Sequence, residues 1–442
     1  NNGIHPDEHF MPESFQAAGY QTAMVGKWHL GHSQETFHPN SRGFDDFYGH
    51  MHTEVGYFPP FANQGGVDFQ RNGVTITDEG YETFLLAEEA SRWIENRDTE
   101  KPFFLYMPFI APHTPLEAPE DLIKKYSDLK DLRVPTRSAS ADRIRSLSST
   151  PSARPIYAAV VDALDQAIGQ VLATLESEGI DEETIILFSS DNGGATYGGG
   201  GGDNFPLRGG KGETYEGGIK VIAALRWKGK IAPQTNFSSI MTMMDVFPTL
   251  AGATNIPMMN TKKLWGRDMW SAINNSKNIP LTQEVFFASE TPNYGQFHTT
   301  VFNEKWKLVQ VISSSLMEVN VNNQLFDIRN DPNEYKNLAA EYPKLVELMA
   351  DKIRRWRALH PISGIRAQLV PPPGWRAPKD WTSYTIPLDE LQDDASLGFG
   401  AHAHQILDYL IKDHGRIIYD CKPGDWERGE CKAPEKSQKH QH

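Results

Sequence analysis

The chain is 442 residues long, enough to bury a large core and to form two or three domains. Its 57 acidic and 43 basic side chains give a formal charge of −14. With no run of basic residues, this balance excludes nucleic acid as the expected partner and requires any anion to be held in a local cationic pocket. No apolar run approaches the roughly 18 residues that argue for a transmembrane helix. The opening residues Asn1-Asn2-Gly3-Ile4-His5-Pro6 contain neither an initiator methionine nor a signal peptide, so the chain reads as a processed product or a fragment. The two cysteines, Cys421 and Cys431, read as a small disulfide loop, with two free thiols as the alternative. Asn236-Phe-Ser238 and Asn274-Asn-Ser276 have the form of glycosylation sequons.

In chain order, residues 7–19 read as a short helix with Met11, Phe15 and Ala18 on one side and Gly19 as its stop. Thr22-Ala-Met-Val25 then leads as a strand into Gly26-Lys27-Trp28-His29-Leu30-Gly31. In an extended segment Lys27 and His29 share a face, because the strand period is two. Alone, the pair could be a solvated lysine beside a histidine packed under Trp28. The aromatic, glycine-rich stretch Ser41 to Gly49 reads as a loop lining a cleft, with Asp45 and Asp46 as loop caps. Tyr81 to Ile94 has helical spacing, its stripe carried by Leu86, Ala90 and Trp93 and widened by Ala87 and Ile94.

The nearly continuous apolar run from Pro102 to Phe109 reads as a strand buried on both faces. It leads into Ala111-Pro112-His113-Thr114-Pro115, where the prolines hold His113 in a stiff, extended loop. Residues 128–152 turn polar and serine-rich and read as a surface excursion. Pro155 opens a long amphipathic helix whose expected buried stripe is Val161, Leu164, Ile168, Val171 or Leu172, and Leu175, with Gly179 ending it.

Thr184 to Ser189 reads as a third buried strand, with Asp191-Asn192-Gly193-Gly194 at its end. A glycine-rich stretch containing Lys211 follows, then a strand expected over Ile219 to Leu225 and a helix over Met244 to Ala251. Strands alternating with helices predict a parallel α/β sheet, and ligands of such sheets bind beyond the carboxyl ends of the strands. Lys27, His29, His113, Asp191, Asn192 and Lys211 all fall there. After residue 283 four shorter strands and a charged helix, Pro343 to Leu359, predict a smaller α+β subdomain. The expected division is 1–283, 284–360 and a proline- and tryptophan-rich extension over 361–442.

This inventory has a definite chemistry. Asp and Asn oxygens suit a hard cation, lysines neutralise a tetrahedral oxyanion, and histidines move protons near neutral pH. Sulfate or phosphate ester cleavage fits the set, although Asp191-Asn192-Gly193 taken alone would be an ordinary β-turn.

Several segments, in the same order, resemble the sulfatase family. Gly19-Tyr-Gln-Thr-Ala-Met-Val-Gly-Lys27-Trp-His29-Leu-Gly31 is similar to a long, specific signature of that family. Ala111-Pro-His113-Thr-Pro, Asp191-Asn192-Gly193, and Leu207-Arg-Gly-Gly-Lys211 followed by Glu216-Gly217-Gly218 match as well. Phe326-Asp327, Asp331-Pro332-Asn333-Glu334 and Asn337-Leu338 resemble its C-terminal region. The resemblance spans roughly residues 9–355, and its nearest group is the arylsulfatases, the B-like ones among them.

It implies an alkaline-phosphatase-like α/β sandwich, with a large, mostly parallel central sheet flanked by helices. By it, Lys27 and Lys211 would bind sulfate and His29 would hold and deprotonate a hydrated formylglycine. His113 would contact the sulfate or protonate the leaving oxygen, and Asp191 and Asn192 would ligate Ca²⁺. The substrate would be a sulfated small molecule or glycan. The setting would be extracellular, lysosomal or periplasmic.

One departure matters. The family's nucleophile lies in a Cys-x-Pro-Ser-Arg segment upstream of the lysine signature, with an Asp-Asp pair of calcium ligands further upstream. Neither occurs in these 442 residues. The expectation is a sulfatase whose N-terminal part is cleaved or supplied by another chain, with a homo-oligomer as a further option. Calcium would be weakly held or absent without the upstream aspartates, and the chain alone would be inactive. A non-catalytic binding protein on a degenerate scaffold is one alternative. A phosphatase or phosphodiesterase of the same superfamily is another, which the lysine and histidine set disfavours.

Overall fold

The computed structural model describes residues 3–32, 35–52, 55–59, 67–129, 153–196, 201–258, 262–291, 296–314 and 319–359. Cys421, Cys431 and the expected 361–442 extension lie outside the described residues, as does most of the 128–152 excursion.

Helix α1 (Met11–Ala17) and strand β1 (Gln21–Lys27) follow each other across Gly19, whose φ of +89° makes the turn. β1 is an inner strand of a five-stranded sheet. It pairs in parallel with β2 (Asp46–His50) on one side and β5 (Phe103–Tyr106) on the other. Two short antiparallel strands, β3 (Gln70–Arg71) and β4 (Val74–Thr75), extend the β2 side. The segment expected as a cleft loop is therefore strand from Asp46 onward. Asp45 does act as a cap: its carboxylate accepts from the Thr22 backbone N–H at 2.9 Å.

Period-two alternation divides the core of β1. Met24 points to a cluster with Trp28, Phe44, Phe47 and Met51, whereas Val25 points to one with Tyr48, Phe69, Leu86 and Ala90. The second cluster lies under α2 (Glu82–Glu95), and α4 (Arg154–Ser177) packs on α2 in turn. Between α2 and β5's neighbouring loops, α3 (Glu120–Lys125) also contacts α4.

The buried stripe of α4 differs from the expectation. Ala159, Val160, Ala163, Ala167, Thr174 and Leu175 are buried, while Val161 is 40% exposed. The α2 face it meets presents Ala87, Ala90 and Ser91, with Thr174 Oγ1 bonded to Ser91 Oγ at 3.0 Å. Small residues on both helices permit close packing, so the alanine face turns inward and the larger aliphatics lie to its sides. α4 is long and apolar enough to cross a membrane by length and composition alone. Its position against α2 is that of a packing helix.

Two further strands, β6 (Ile186–Ser189) and β7 (Ala223–Arg226), pair antiparallel with each other. Neither β5 nor β6 is buried as expected: Tyr106 is 46% exposed, and Leu187 and Phe188 are each 38% exposed. Among the described residues each of these strands has a partner along one edge only, β1 for β5 and β7 for β6, so the other edge is uncovered. The strand expected at Ile219 starts later, because Glu216–Ile219 forms a short helix, α5.

Helices α6 (Val246–Thr254) and α7 (Trp270–Asn274) lead to a four-stranded antiparallel sheet. Its strands are β8 (Val285–Thr291), β9 (Gln296–Phe302), β10 (Trp306–Ser314) and β11 (Val319–Asp327), in the order β11-β10-β9-β8. Helix α8 (Pro343–Arg357) covers one face through Met349 and Ile353, which pack on Leu308 and Leu325. The opposite face, carrying Lys307, Val309 and Val311, meets Tyr215 and Glu216 at the start of α5.

Candidate active site

The site begins where parallel strands end. β1 runs out through Lys27-Trp28-His29 and β2 through His50-Met51-His52, tied side by side by Trp28 N–H to His50 O at 2.9 Å and His29 N–H to Met51 O at 3.1 Å. On the other flank Lys27 N–H donates to Pro108 O at 2.8 Å. Glycines permit this closeness. A Cβ on Gly49 would lie 2.0 Å from Gly26 O, and one on Gly26 would lie 2.3 Å from Pro108 O. Both have φ above +130°, a conformation that L side chains rarely adopt. Trp28 turns inward instead, its Nε1–H bonded to Phe37 O at 2.8 Å. His29 sits at a left-handed φ of +54°, which breaks the simple strand alternation and aims its imidazole outward.

His29 faces four basic groups. Burial lowers its pKa most, followed by Lys27 and then His52, His113 and His32, and together they bring it to about 4. The imidazole is therefore neutral, a proton acceptor, across the whole physiological range. His113 lies in the loop after β5, between two cis X–Pro bonds. Its Nδ1 lies 2.7 Å from Thr114 O, which can only accept, so Nδ1 carries the proton and Nε2 the lone pair. Tyr57 reaches the same residue: its hydroxyl donates to His113 O at 3.0 Å, and its ring stacks on Tyr81. Burial raises the Tyr57 phenol well above its ordinary value, so it remains a donor.

Asp191, Asn192 and Lys211 belong to a second, internally stitched unit. Gly193 N–H donates to Gly218 O at 3.0 Å, Lys211 N–H to Gly194 O at 3.2 Å, and Asn204 bridges Gly194 and Gly209 through its side chain. The Asp191 carboxylate is exposed at the end of β6, while Asn192 and Lys211 are half-buried. Desolvation and the Asp191 carboxylate both raise the Tyr106 phenol, which places the Asp191 turn opposite the end of β5. Thus Lys27, His29 and His113 are grouped with each other, and Asp191 and Asn192 are grouped with the Lys211 loop.

Asp191 and Asn192 offer hard oxygens of the kind calcium takes, but two of about six to eight. Among the described residues no set of three or more His, Cys, Asp or Glu side chains is placed to hold a metal. The donor set is thus right in kind and short in number.

The Lys211 loop is anchored from the C-terminal sheet. Lys307 Nζ lies 2.8 Å from Glu216 Oε1 and 2.9 Å from Glu334 Oε1, and Glu334 Oε2 accepts the Glu216 backbone N–H at 2.8 Å. Lys307 and Glu334 have no exposed side-chain surface. Burial raises the Glu334 carboxyl, opposed by the Lys307 ammonium. Tyr57, His32, His52, Lys307 and Glu334 were not singled out as site residues by the sequence. The one usable signal was His50-Met51-His52, whose period-two spacing follows a strand-ending glycine as Lys27-Trp28-His29 does.

Comparison with known proteins agrees with the motifs. The family model described as Sulfatase matches residues 1–256. Arylsulfatase J of Mus musculus is 27% identical over 403 residues, covering 80% of this chain and 63% of that protein. N-acetylgalactosamine-6-sulfatase of the same species is 29% identical over 284 residues, covering 60% and 49% respectively. The chain thus spans about half to two thirds of the length of these relatives. Among solved structures, Ps i-CgsB in complex with k-i-k-neocarrahexaose superposes with a TM-score of 0.66 at 26% identity, covering 80% of this chain and 76% of that one. BT4656 in complex with its substrate D-glucosamine-2-N,6-O-disulfate shares the fold at a TM-score of 0.61 and 22% identity, covering 80% and 83%. The central sheet flanked by helices, the second antiparallel sheet and the match over residues 1–256 give one answer: the chain belongs to the sulfatase family.

Proposed function

We propose that this chain carries the sulfate-binding and proton-handling part of a sulfuric ester hydrolase of the arylsulfatase type. The substrate is a sulfated carbohydrate or an aryl sulfate. The observation that carries the reading is His29, a neutral imidazole held among Lys27, His113 and further histidines. Hydrolysis of a sulfate ester takes one proton from the attacking group and delivers one to the leaving oxygen. His29, neutral above about pH 4, is suited to accept the first. His113, with Nδ1 committed to Thr114 O, exchanges protons through Nε2 and would deliver the second from that nitrogen after it has itself taken up a proton. Lys27 and Lys211 neutralise the sulfuryl oxygens, the role that fixed cations play toward developing negative charge.

By the family resemblance, the attacking oxygen would come from a hydrated formylglycine, and a bound Ca²⁺ would supply positive charge toward the sulfate. Asp191 and Asn192 are the residues of this chain that would contribute to holding the metal. The two cysteines of the sequence, Cys421 and Cys431, stand in Asp-Cys-Lys and Glu-Cys-Lys contexts unlike the family's modification motif. Exposed side chains at both sequon asparagines, Asn236 and Asn274, support a secretory, glycosylated setting. A sulfated glycan as substrate is supported by the named relatives, one an N-acetylgalactosamine-6-sulfatase and one solved with a neocarrahexaose.

Calorimetric titration of the 442-residue chain with an aryl sulfate tests the site. Binding is expected, with Lys27→Ala and Lys211→Ala each weakening it by about tenfold or more, as expected for loss of a charge-assisted contact. Unchanged affinity in both variants refutes the assignment. Turnover by the chain alone would mean that an attacking group lies within these 442 residues.

A further inference from the structure

Two half-buried imidazoles beside His29 have no part in the chemistry above. His32 and His52 lie with ring centroids 4.4 Å apart at an interplanar angle of 42°. Each comes from a different strand exit, His32 just past Gly31 and His52 two residues past the end of β2. Their places are fixed by backbone. Asp68 accepts the Met51 N–H at 2.9 Å and the His52 N–H at 2.7 Å, and His50 Nδ1 lies 2.8 Å from His52 O. His50 is itself wedged against Glu82, both fully buried at 3.6 Å.

We propose that His32 and His52 form a second anion subsite beside the sulfuryl pocket, taking a further sulfate or carboxylate group on the same substrate. This deepens the sulfatase reading and rests on it. One ester sulfate is already provided for by Lys27, Lys211, His29 and His113, yet the basic groups continue beyond His29 to His52 and His32. His32 feels His52 and the Asp68 carboxylate, and both imidazoles act on His29, which Lys27 and His113 also face. Asp68, the one carboxylate among them, has both oxygens engaged by backbone amides, and its charge opposes part of the lowering of His32. In a chain of formal charge −14, such a concentration of basic groups marks a place for a polyanion.

The pair must be protonated to act at full strength. Burial and mutual repulsion lower His32, so an arriving anion and a falling pH reinforce each other. A substrate with two acidic groups should therefore gain affinity over one with a single sulfate as the medium becomes more acidic, whereas the single sulfate gains less.

The test uses the full 442-residue chain with two probes, galactose 6-sulfate and galactose 2,6-disulfate, titrated at about pH 5.5 and about pH 7.5. The disulfate should bind about tenfold more tightly at the lower pH, the effect of one additional charge-assisted contact, and this ratio should shrink at the higher pH. In His52→Gln and His32→Gln the ratio should approach one at both pH values. Because the ratio in the unaltered chain is itself a readout, a poorly folding variant does not remove the test. Equal affinities for the two probes at the lower pH, with Lys27→Ala still weakening both, overturn the second subsite alone. Failure of both probes to bind overturns the sulfatase-site reading and this inference with it.

Discussion

Replacing Lys307 with methionine removes a charge from the junction of the two sheets while preserving most of the side-chain volume. In the native arrangement the ammonium sits between Glu216 and Glu334, 2.8 and 2.9 Å away, with no exposed surface of its own. Methionine leaves two carboxylates facing an apolar stem. Glu334 keeps a single strong partner, the Glu216 backbone N–H at 2.8 Å. Removing one member of a buried ion pair costs about 3–5 kcal/mol, a large share of the ~5–15 kcal/mol typical of a folded protein.

Burial already raises Glu334, and loss of the ammonium should raise it further. A carboxyl whose folded pKa exceeds its unfolded value destabilises at neutral pH, and the penalty fades as falling pH protonates it. The variant should thus be most impaired near pH 7 and recover part of its stability toward pH 5. Urea unfolding followed by tryptophan fluorescence at both pH values measures this. The double variant Lys307→Met/Glu334→Gln should regain at least half of the loss. A loss below about 1 kcal/mol in the single variant, or no recovery in the double, would show that the cluster is not an interdependent buried unit.

Other consequences can be checked in the same way. His298 is buried and held near pKa 4 by desolvation and by Arg208, so between about pH 6.5 and 4 the unfolded chain binds the proton that the folded one refuses. Acidification across that window should cost about 3 kcal/mol through this residue, and His298→Gln should remove that slope from the pH–stability profile. Tyr57→Phe removes the hydroxyl that donates to His113 O, so it should lower stability by about 1–3 kcal/mol and shift the His113 ring resonances in the NMR spectrum. Unmoved resonances would show that the hydroxyl does not position the histidine. Calcium should bind the Asp191–Asn192 turn with a dissociation constant of about 1 mM or weaker, since two oxygens are far from a full shell. A micromolar constant that Asp191→Ala abolishes would mean that further ligands complete the shell.

The alternation of strand and helix, and the position of lysine and histidine just beyond strand ends, could be read directly from local pattern, because both depend on periods of two and 3.6 within one segment. What could not be read depends on partners far away in the chain. The inward face of α4 is set by α2's alanines, and alanine carries too little hydrophobic weight to phase a stripe that also offers Val161 and Leu164. The incomplete burial of β5 and β6 is a property of their neighbours, not of their own apolar residues. Lys307 looks in sequence like a solvated strand lysine. Its carboxylate partners are 91 positions upstream and 27 downstream, counted as 307 − 216 and 334 − 307. His29 could be named from the motif, but its depressed pKa depends first on burial and then on Lys27 and on His52 and His113, which arrive from two other loops, with His32 from its own.

Gly26 and Gly49 have a further bearing on how this fold tolerates change. Neither carries a functional group, yet a single methyl at Gly49 would meet Gly26 O at 2.0 Å and would need a backbone angle that alanine resists. Lys27 follows one of them directly, and His52 stands three positions after the other. Random mutagenesis should therefore find these glycines as intolerant as the lysine itself. A map of sensitivity would trace the narrow seam where the strands leave the sheet, and would merge groups needed for chemistry with groups needed only because nothing larger fits. Separating them requires ligand affinity measured on variants that remain folded: lysine variants should remain folded, and glycine variants should not.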